Sequence, residues 1–146
     1  MDDDALGPHA LDFWLGRWSV SWADGGEGTN TIRPILDGRV IEESFEGRDG
    51  SGTLLGRSLS VRDSGDGRWR QTWVDSNGSY LDFVGIDVDG GIAFQRAAGD
   101  ARLQRMRWLN RADDTFDWHW ERSSDGGGTW ELVWAIAYRR IEEAGV

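Results

Sequence analysis

Short segments of alternating apolar and polar residues recur about every 12–14 residues along this chain, separated by clusters of Gly, Asp, Asn and Ser. The separations are too short for crossover helices, so consecutive segments are expected to pair as antiparallel neighbours. The pattern predicts about ten strands, at 17–23, 28–35, 39–46, 53–62, 67–75, 79–87, 91–97, 102–109, 115–123 and 129–140. Because an open meander of this length leaves two unpaired edges, we expect an all-β, single up-and-down antiparallel barrel.

Turn residues and tryptophan support this architecture. The chain has 21 glycines, 10 tryptophans and only 2 prolines. Asp37-Gly38 and Asn77-Gly78 are typical hairpin turns, and Gly126-Gly127-Gly128 indicates a looser one. So many tryptophans require a core or a pocket. A short helix over Pro8–Leu15 is expected to cap the closed end of the barrel.

Composition limits the classes of function. The length of 146 residues suits one domain over 1–146, with residues 1–7 expected to be flexible. No cysteine is present and the two histidines are far apart, so neither disulfides nor a metal site is expected. The net charge of −10 opposes nucleic-acid binding, and no apolar run is long enough for a membrane helix. With no signal-peptide pattern, we expect a cytoplasmic protein. The outer faces of the predicted strands are polar, so we expect a monomer or weak homodimer, and no cofactor is predicted.

The hairpins also predict which side chains point into the barrel, because one face continues through every turn. A turn centred on Gly50 places Glu43 opposite Arg57, and the Asp89-Gly90 turn brings Asp82 towards Arg96. The triple-glycine turn sets Trp118 opposite Trp134. The predicted interior includes Trp18, Val20, Trp22, Asn30, Ile32, Ile41, Glu43, Phe45, Leu55, Arg57, Leu59, Trp69, Gln71, Trp73, Asp82, Val84, Ile86, Ile92, Phe94, Arg96, Gln104, Met106, Trp108, Phe116, Trp118, Trp120, Leu132, Trp134, Ile136 and Tyr138. His119 falls on the outer face, which favours a surface histidine over a haem ligand.

Several motifs resemble those of a known family. Gly16-Arg17-Trp18 and Arg139-Arg140 are similar to the lipocalin pair in which an arginine of the last strand covers a tryptophan of the first. The wider set comprises Leu11-Asp12-Phe13-Trp14-Leu15, Ile35-Leu36-Asp37-Gly38, Gly56-Arg57-Ser58-Leu59, Trp69-x-Gln71-Thr72-Trp73-Val74-Asp75-Ser76 and Ser124-Asp125-Gly126-Gly127-x-Thr129-Trp130. Together these resemble the bacterial family DUF1579 over nearly the whole chain. The resemblance implies a lipocalin-like barrel of the calycin group and no settled activity.

The predicted interior suggests three functions. The first is a small-molecule binding protein whose aromatic-lined pocket holds an apolar or aromatic ligand. Its candidate binding residues are Trp22, Glu43, Arg57, Gln71, Trp73, Asp82, Arg96, Trp118 and Trp134. The second is a cofactor-independent enzyme of the cyclase or isomerase type, with Glu43 or Asp82 moving a proton. The third is a structural barrel whose interior is filled by its own side chains.

Overall fold

The computed structural model describes residues 6–141 and contains the ten strands that the sequence predicts. No helix in that range is long and apolar enough to cross a membrane. The strands are β1 (Gly16–Trp22), β2 (Gly26–Ile35), β3 (Val40–Asp49), β4 (Gly52–Arg62), β5 (Trp69–Asp75), β6 (Tyr80–Val88), β7 (Gly91–Gly99), β8 (Arg102–Leu109), β9 (Thr115–Ser123) and β10 (Glu131–Arg140). Short 3₁₀ turns occupy Asp12–Trp14 and Ala23–Gly25.

The sheet closes on itself. Every strand pairs antiparallel with its sequence neighbours, and β10 returns to pair with β1 through the partners Val20↔Tyr138 and Trp18↔Arg140. Closure removes both sheet edges, as expected for a long meander. The predicted all-β, up-and-down antiparallel barrel is therefore confirmed.

The predicted N-terminal helix over Pro8–Leu15 is wrong. The segment is a series of tight turns instead, in which the amides of Ala10, Asp12 and Trp14 each bond the carbonyl three residues earlier. A helix this short gains little from its own hydrogen bonds, so tertiary contacts decide its conformation. Here the turns bury both Leu11 and Trp14, which pack against the end of the barrel where β1 begins.

A cation–π contact seals this closed end. The Arg140 guanidinium lies 4.2 Å from the ring centroid of Trp18 and donates to the carbonyl of Leu15 at 2.8 Å. Gly16 makes room for it, since a Cβ there would lie 2.6 Å from Arg140 Nη1, and its φ of +127° suits glycine. An arginine of the last strand thus covers a tryptophan of the first, as the lipocalin resemblance implies.

The inward face matches the prediction in eight strands but is reversed in β4 and β6. Arg57, Leu55 and Leu59 point outward, and the two leucines are 46% and 44% exposed. In β6, Asp82 is exposed, whereas Phe83 is buried. Since side chains alternate, a register error of one residue is enough to turn a whole strand over.

The turns on either side explain these errors. The β3–β4 turn has two residues, Gly50 and Ser51, so Glu43 pairs with Ser58 and not with Arg57. The β5–β6 connection is longer than the predicted two-residue Asn77-Gly78 turn, because Val74 pairs with Tyr80. The Asp49 and Asp75 carboxylates stabilise these turns by accepting backbone N–H groups two residues later.

Volume, more than hydrophobicity, decides which face of β4 is inside. Its inward residues Gly56, Ser58 and Ser60 are small and buried. A Cβ on Gly56 would lie 2.1 Å from the Trp73 ring. The large indole of one strand therefore needs a small neighbour on the next, and the interior stays close-packed around it.

The register of β10 also differs from the prediction without changing its inward face. A bulge between Leu132 and Trp134 sets Trp134 opposite Trp120, and Ile136 opposite Trp118. The predicted partner of Trp118 was Trp134. Leu132, predicted to be inside, is 52% exposed because it precedes the bulge.

Replacement of Gly56 tests the register of β4. We expect Gly56→Ala to lower the free energy of unfolding by about 1–3 kcal/mol, because the new methyl group overpacks the Trp73 contact. Gly50→Ala is the matched control, since a Cβ at Gly50 meets no atom within 4 Å. Urea unfolding of both variants measures the difference, and equal stabilities would contradict the inward placement of Gly56.

Candidate functional site

A cavity of about 180 Å³ lies inside the barrel. Its lining is mainly aromatic and aliphatic, with two carboxylates. The lining residues are Glu43, Phe45, Leu54, Trp73, Asp75, Leu81, Phe83, Met106, Trp118, Trp120, Trp134, Ile136 and Tyr138. They come from strands around most of the barrel, so closure of the sheet is what assembles the site.

Three indoles form two walls of this cavity at right angles. Trp118 and Trp120 follow each other on the inward face of β9 with their rings parallel to within 4° and 6.4 Å apart. Trp134 of β10 stands at 88° to Trp118, at 5.9 Å. The stacked pair and the edge-to-face contact hold the rings in place, and all three indoles contribute aromatic surface to the cavity lining.

A single buried glutamate forms the polar part of the cavity. Glu43 is 7% exposed. Its Oε2 accepts a hydrogen bond from Nδ2 of Asn30 and its Oε1 accepts one from Oγ of Ser58, both at 2.7 Å. Burial raises the pKa of Glu43, although these two hydrogen bonds act in the opposite direction. It forms no ion pair with any residue in 6–141.

Tyr138 completes this polar group. Its hydroxyl accepts a hydrogen bond from Nδ2 of Asn30 at 2.9 Å, so that amide bridges Tyr138 and Glu43. The hydroxyl keeps its own proton to donate to another acceptor. Burial and the charge of Glu43 hold the pKa of Tyr138 well above its ordinary value, so the phenol is neutral. Glu43 and Tyr138 thus offer the cavity one buried carboxyl group and one hydroxyl donor.

A second carboxylate, Asp75, lies at the end of β5. Its Oδ2 accepts a hydrogen bond from Nε1 of Trp73 at 2.8 Å, which fixes the orientation of that indole. Partial burial raises the pKa of Asp75, but the hydrogen bonds from Trp73 and from the Ser79 and Asn77 amides outweigh it and leave the pKa below its usual value. Asp75 is therefore ionised at neutral pH.

Four of the predicted site residues line the cavity, namely Glu43, Trp73, Trp118 and Trp134. Trp22 is not part of the cavity lining but packs against Trp134, with the two ring centroids 5.2 Å apart. The predicted inward orientation of these five residues is confirmed.

The other four predicted residues lie elsewhere. Arg57 and Asp82 point outward and are exposed, so their predicted inward orientation is wrong, as is the Glu43/Arg57 pair. The predicted Asp82/Arg96 pair does not form, because Arg96 donates to Oε1 of Gln104. Gln71 is buried and donates to Ser60, away from the cavity lining.

The sequence prediction missed part of the cavity lining because it reversed the inward faces of β4 and β6. Leu54, Leu81 and Phe83 belong to the two strands whose faces were reversed. Their signal was present but weak, because Leu54-Leu55 and Phe83-Val84 offer an apolar residue to either face. The sequence predicted that Asn30 points into the barrel. It could not predict that the Asn30 amide donates to both Glu43 on β3 and Tyr138 on β10, because these residues meet only in the folded barrel.

His119 lies on the opposite face of β9 from Trp118 and Trp120, which confirms its predicted outward orientation. Its Nδ1 is 3.6 Å from Glu121, and Glu121 also pairs with Arg105 at 2.6 Å. Within residues 6–141, no three His, Asp or Glu side chains are grouped to hold a metal ion.

Comparison with solved structures finds a similar chain described as "De novo design of a fluorescence-activating beta barrel". It is 18% identical, and the match covers 97% of this chain and 100% of that chain with a TM-score of 0.48. No family model and no curated protein matches the chain. The resemblance to DUF1579 stays a prediction.

The burial of Glu43 predicts a specific pH dependence of stability. Because the pKa of Glu43 is higher in the folded than in the unfolded protein, its contribution is most favourable below the ordinary value of 4.5. That contribution is lost as the pH rises through the folded pKa. We expect wild type to lose stability relative to Glu43→Gln as the pH rises above 4.5, measured by urea unfolding over a range of pH from acidic to neutral.

The matched control is Glu46→Gln, three residues along the same strand and exposed. It makes the same change in charge without the burial, so its stability difference from wild type should vary little over this range. A Glu43→Gln difference that is equally independent of pH would show that the buried carboxyl is not destabilised by ionisation.

Proposed function

We propose that this chain is a small-molecule binding protein that holds an aromatic or apolar ligand bearing one polar group. One observation carries the proposal: the cavity combines flat indole walls with a single buried carboxyl group at Glu43. Binding pockets typically pair apolar and aromatic walls with a few placed polar groups that fix the orientation of the ligand. The aromatic walls supply affinity, and Glu43 with Tyr138 supplies orientation.

The cavity volume sets the size of the ligand. The space of about 180 Å³ is slightly larger than an engineered apolar cavity of about 150 Å³ that accommodates benzene. One ring with a short side chain, or a compact pair of fused rings, fits this space. A larger ligand would have to move Trp73 or Trp134.

An enzymatic use of the same cavity is the second candidate. A buried carboxyl whose pKa is raised is suited to general acid or base catalysis near neutral pH, and Glu43 has this environment. The neutral hydroxyl of Tyr138, which shares the Asn30 amide with Glu43, is placed to donate a hydrogen bond to developing negative charge. A cofactor-independent isomerase or cyclase of a small apolar substrate would use these two groups. Asp82 has no such role here, since it faces outward.

Filling the cavity tests the binding function. We expect Ile136→Trp to weaken the binding of small aromatic probes such as indole at least about tenfold, because the added rings occupy the ligand space. The control is Val133→Trp, since Val133 is on the same strand but 47% exposed. Calorimetric titration of wild type and both variants gives the affinities. Equal affinities in all three proteins, or no binding to wild type, would contradict this site.

A single variant separates the two functions once a ligand is found. Glu43→Gln keeps the shape of the side chain and removes its ability to exchange a proton. A binding protein should still hold a neutral aromatic ligand with an affinity within about threefold of wild type. An enzyme should bind comparably but lose about a hundredfold or more in kcat.

A further inference from the structure

We propose that the cavity selects small organic cations, such as primary arylalkyl ammonium ions, over neutral and anionic molecules of the same shape. This inference rests on the proposed binding function and names the class of ligand. It is carried by the charges, hydrogen bonds and ring geometry around the cavity.

The ionisable groups that line the cavity are all acids. Its lining includes the carboxylates of Glu43 and Asp75 and no arginine or histidine. The whole chain is also negative, with a net charge of −10. An anionic ligand would bring its charge next to two carboxylates in a partly dehydrated space, where the repulsion is poorly screened. A cation would meet attraction from both.

Glu43 lacks the counter-charge that a buried carboxylate usually has. Both of its hydrogen-bond donors, Asn30 and Ser58, are neutral. A buried carboxylate without a partner of opposite charge is costly, because its desolvation is not compensated. A ligand ammonium group would supply that partner and donate hydrogen bonds to the same oxygens. A cationic ligand would therefore form the ion pair with Glu43 that no protein side chain within residues 6–141 provides.

Within residues 6–141, no arginine forms an ion pair with Glu43. Arg57, which the sequence pattern placed opposite Glu43, points outward. Arg96 donates to Gln104, and Arg105 pairs with Glu121 on the outer face. None of the three lines the cavity.

The aromatic walls suit a cation independently of the carboxylates. The parallel faces of Trp118 and Trp120 and the perpendicular ring of Trp134 bound one corner of the space. Tryptophan is the strongest cation–π partner among the side chains, and the attraction grows when water is excluded. Indole walls meeting at right angles contact a cation from two sides.

The test compares three probes that share a phenyl ring and a short chain: phenethylamine, phenethyl alcohol and phenylpropionate. Calorimetric titration of wild type at neutral pH gives their affinities. We expect the ammonium ion to bind at least about tenfold more tightly than the alcohol, and the carboxylate to bind most weakly. This series needs no variant, so it does not depend on how any substitution folds.

Glu43→Gln then locates the source of the selectivity. We expect this variant to reduce the preference for phenethylamine over the alcohol to about threefold or less. Cation–π attraction to the indoles would account for the preference that remains. Glu46→Gln, exposed on the same strand, should keep the full preference. Near-ultraviolet circular dichroism of the tryptophans confirms that both variants are folded.

The outcomes separate this inference from the function on which it rests. If the alcohol or the carboxylate binds wild type as tightly as the ammonium ion, the cation selectivity is wrong and the binding function stands. If none of the three probes nor indole binds, both are wrong. If the preference persists undiminished in Glu43→Gln, the proposed role of the buried carboxylate is wrong.

Discussion

The pairing of β1 with β10 is the constraint on which the rest of this structure depends. It joins the two ends of a ten-strand meander through partners such as Val20 and Tyr138. Without it, Trp18 on β1 and Phe116 on β9, whose rings lie 4.8 Å apart, would have no shared interior. The contact of Arg140 with Trp18 and the carbonyl of Leu15 ties the same seam to the N-terminal turns. The cavity exists because the sheet closes above this sealed end.

Steric complementarity between neighbouring strands then shapes the interior. Gly56 lies beside Trp73, and Gly85 lies beside Trp69, where a Cβ would approach the Trp69 Cβ to 2.9 Å. Small residues on β4 and β6 thus accommodate large ones on β5. The barrel packs tightly at its closed end around Trp14, Trp18 and Trp108. It leaves open space farther along, where Trp134 stands edge to face with Trp118 and the rings of Trp118 and Trp120 are parallel.

The site is unusual in burying a carboxyl group among aromatic rings without a cation beside it. Asn30 and Ser58 satisfy the oxygens of Glu43 with neutral hydrogen bonds, which reduces the cost of burial but does not neutralise an ionised form. A group in this position is retained for ligand recognition or proton transfer more readily than for stability. The burial that places this carboxyl group at the proposed binding site also makes its ionised form costly.

The sequence by itself determined the strands, their antiparallel order and the closed architecture, since alternation and turn residues are local signals. It also placed Glu43 and the tryptophans of the strands inside, because those residues lie on strands whose alternation is unambiguous. It did not determine the inward faces of β4 and β6. There, Leu55, Leu59 and Asp82 point outward, while Gly56 and Ser58 point inward to accommodate Trp73 and to bond Glu43. Turn length and the fit of side chains from neighbouring strands decide such registers, and both exist only once the barrel has closed.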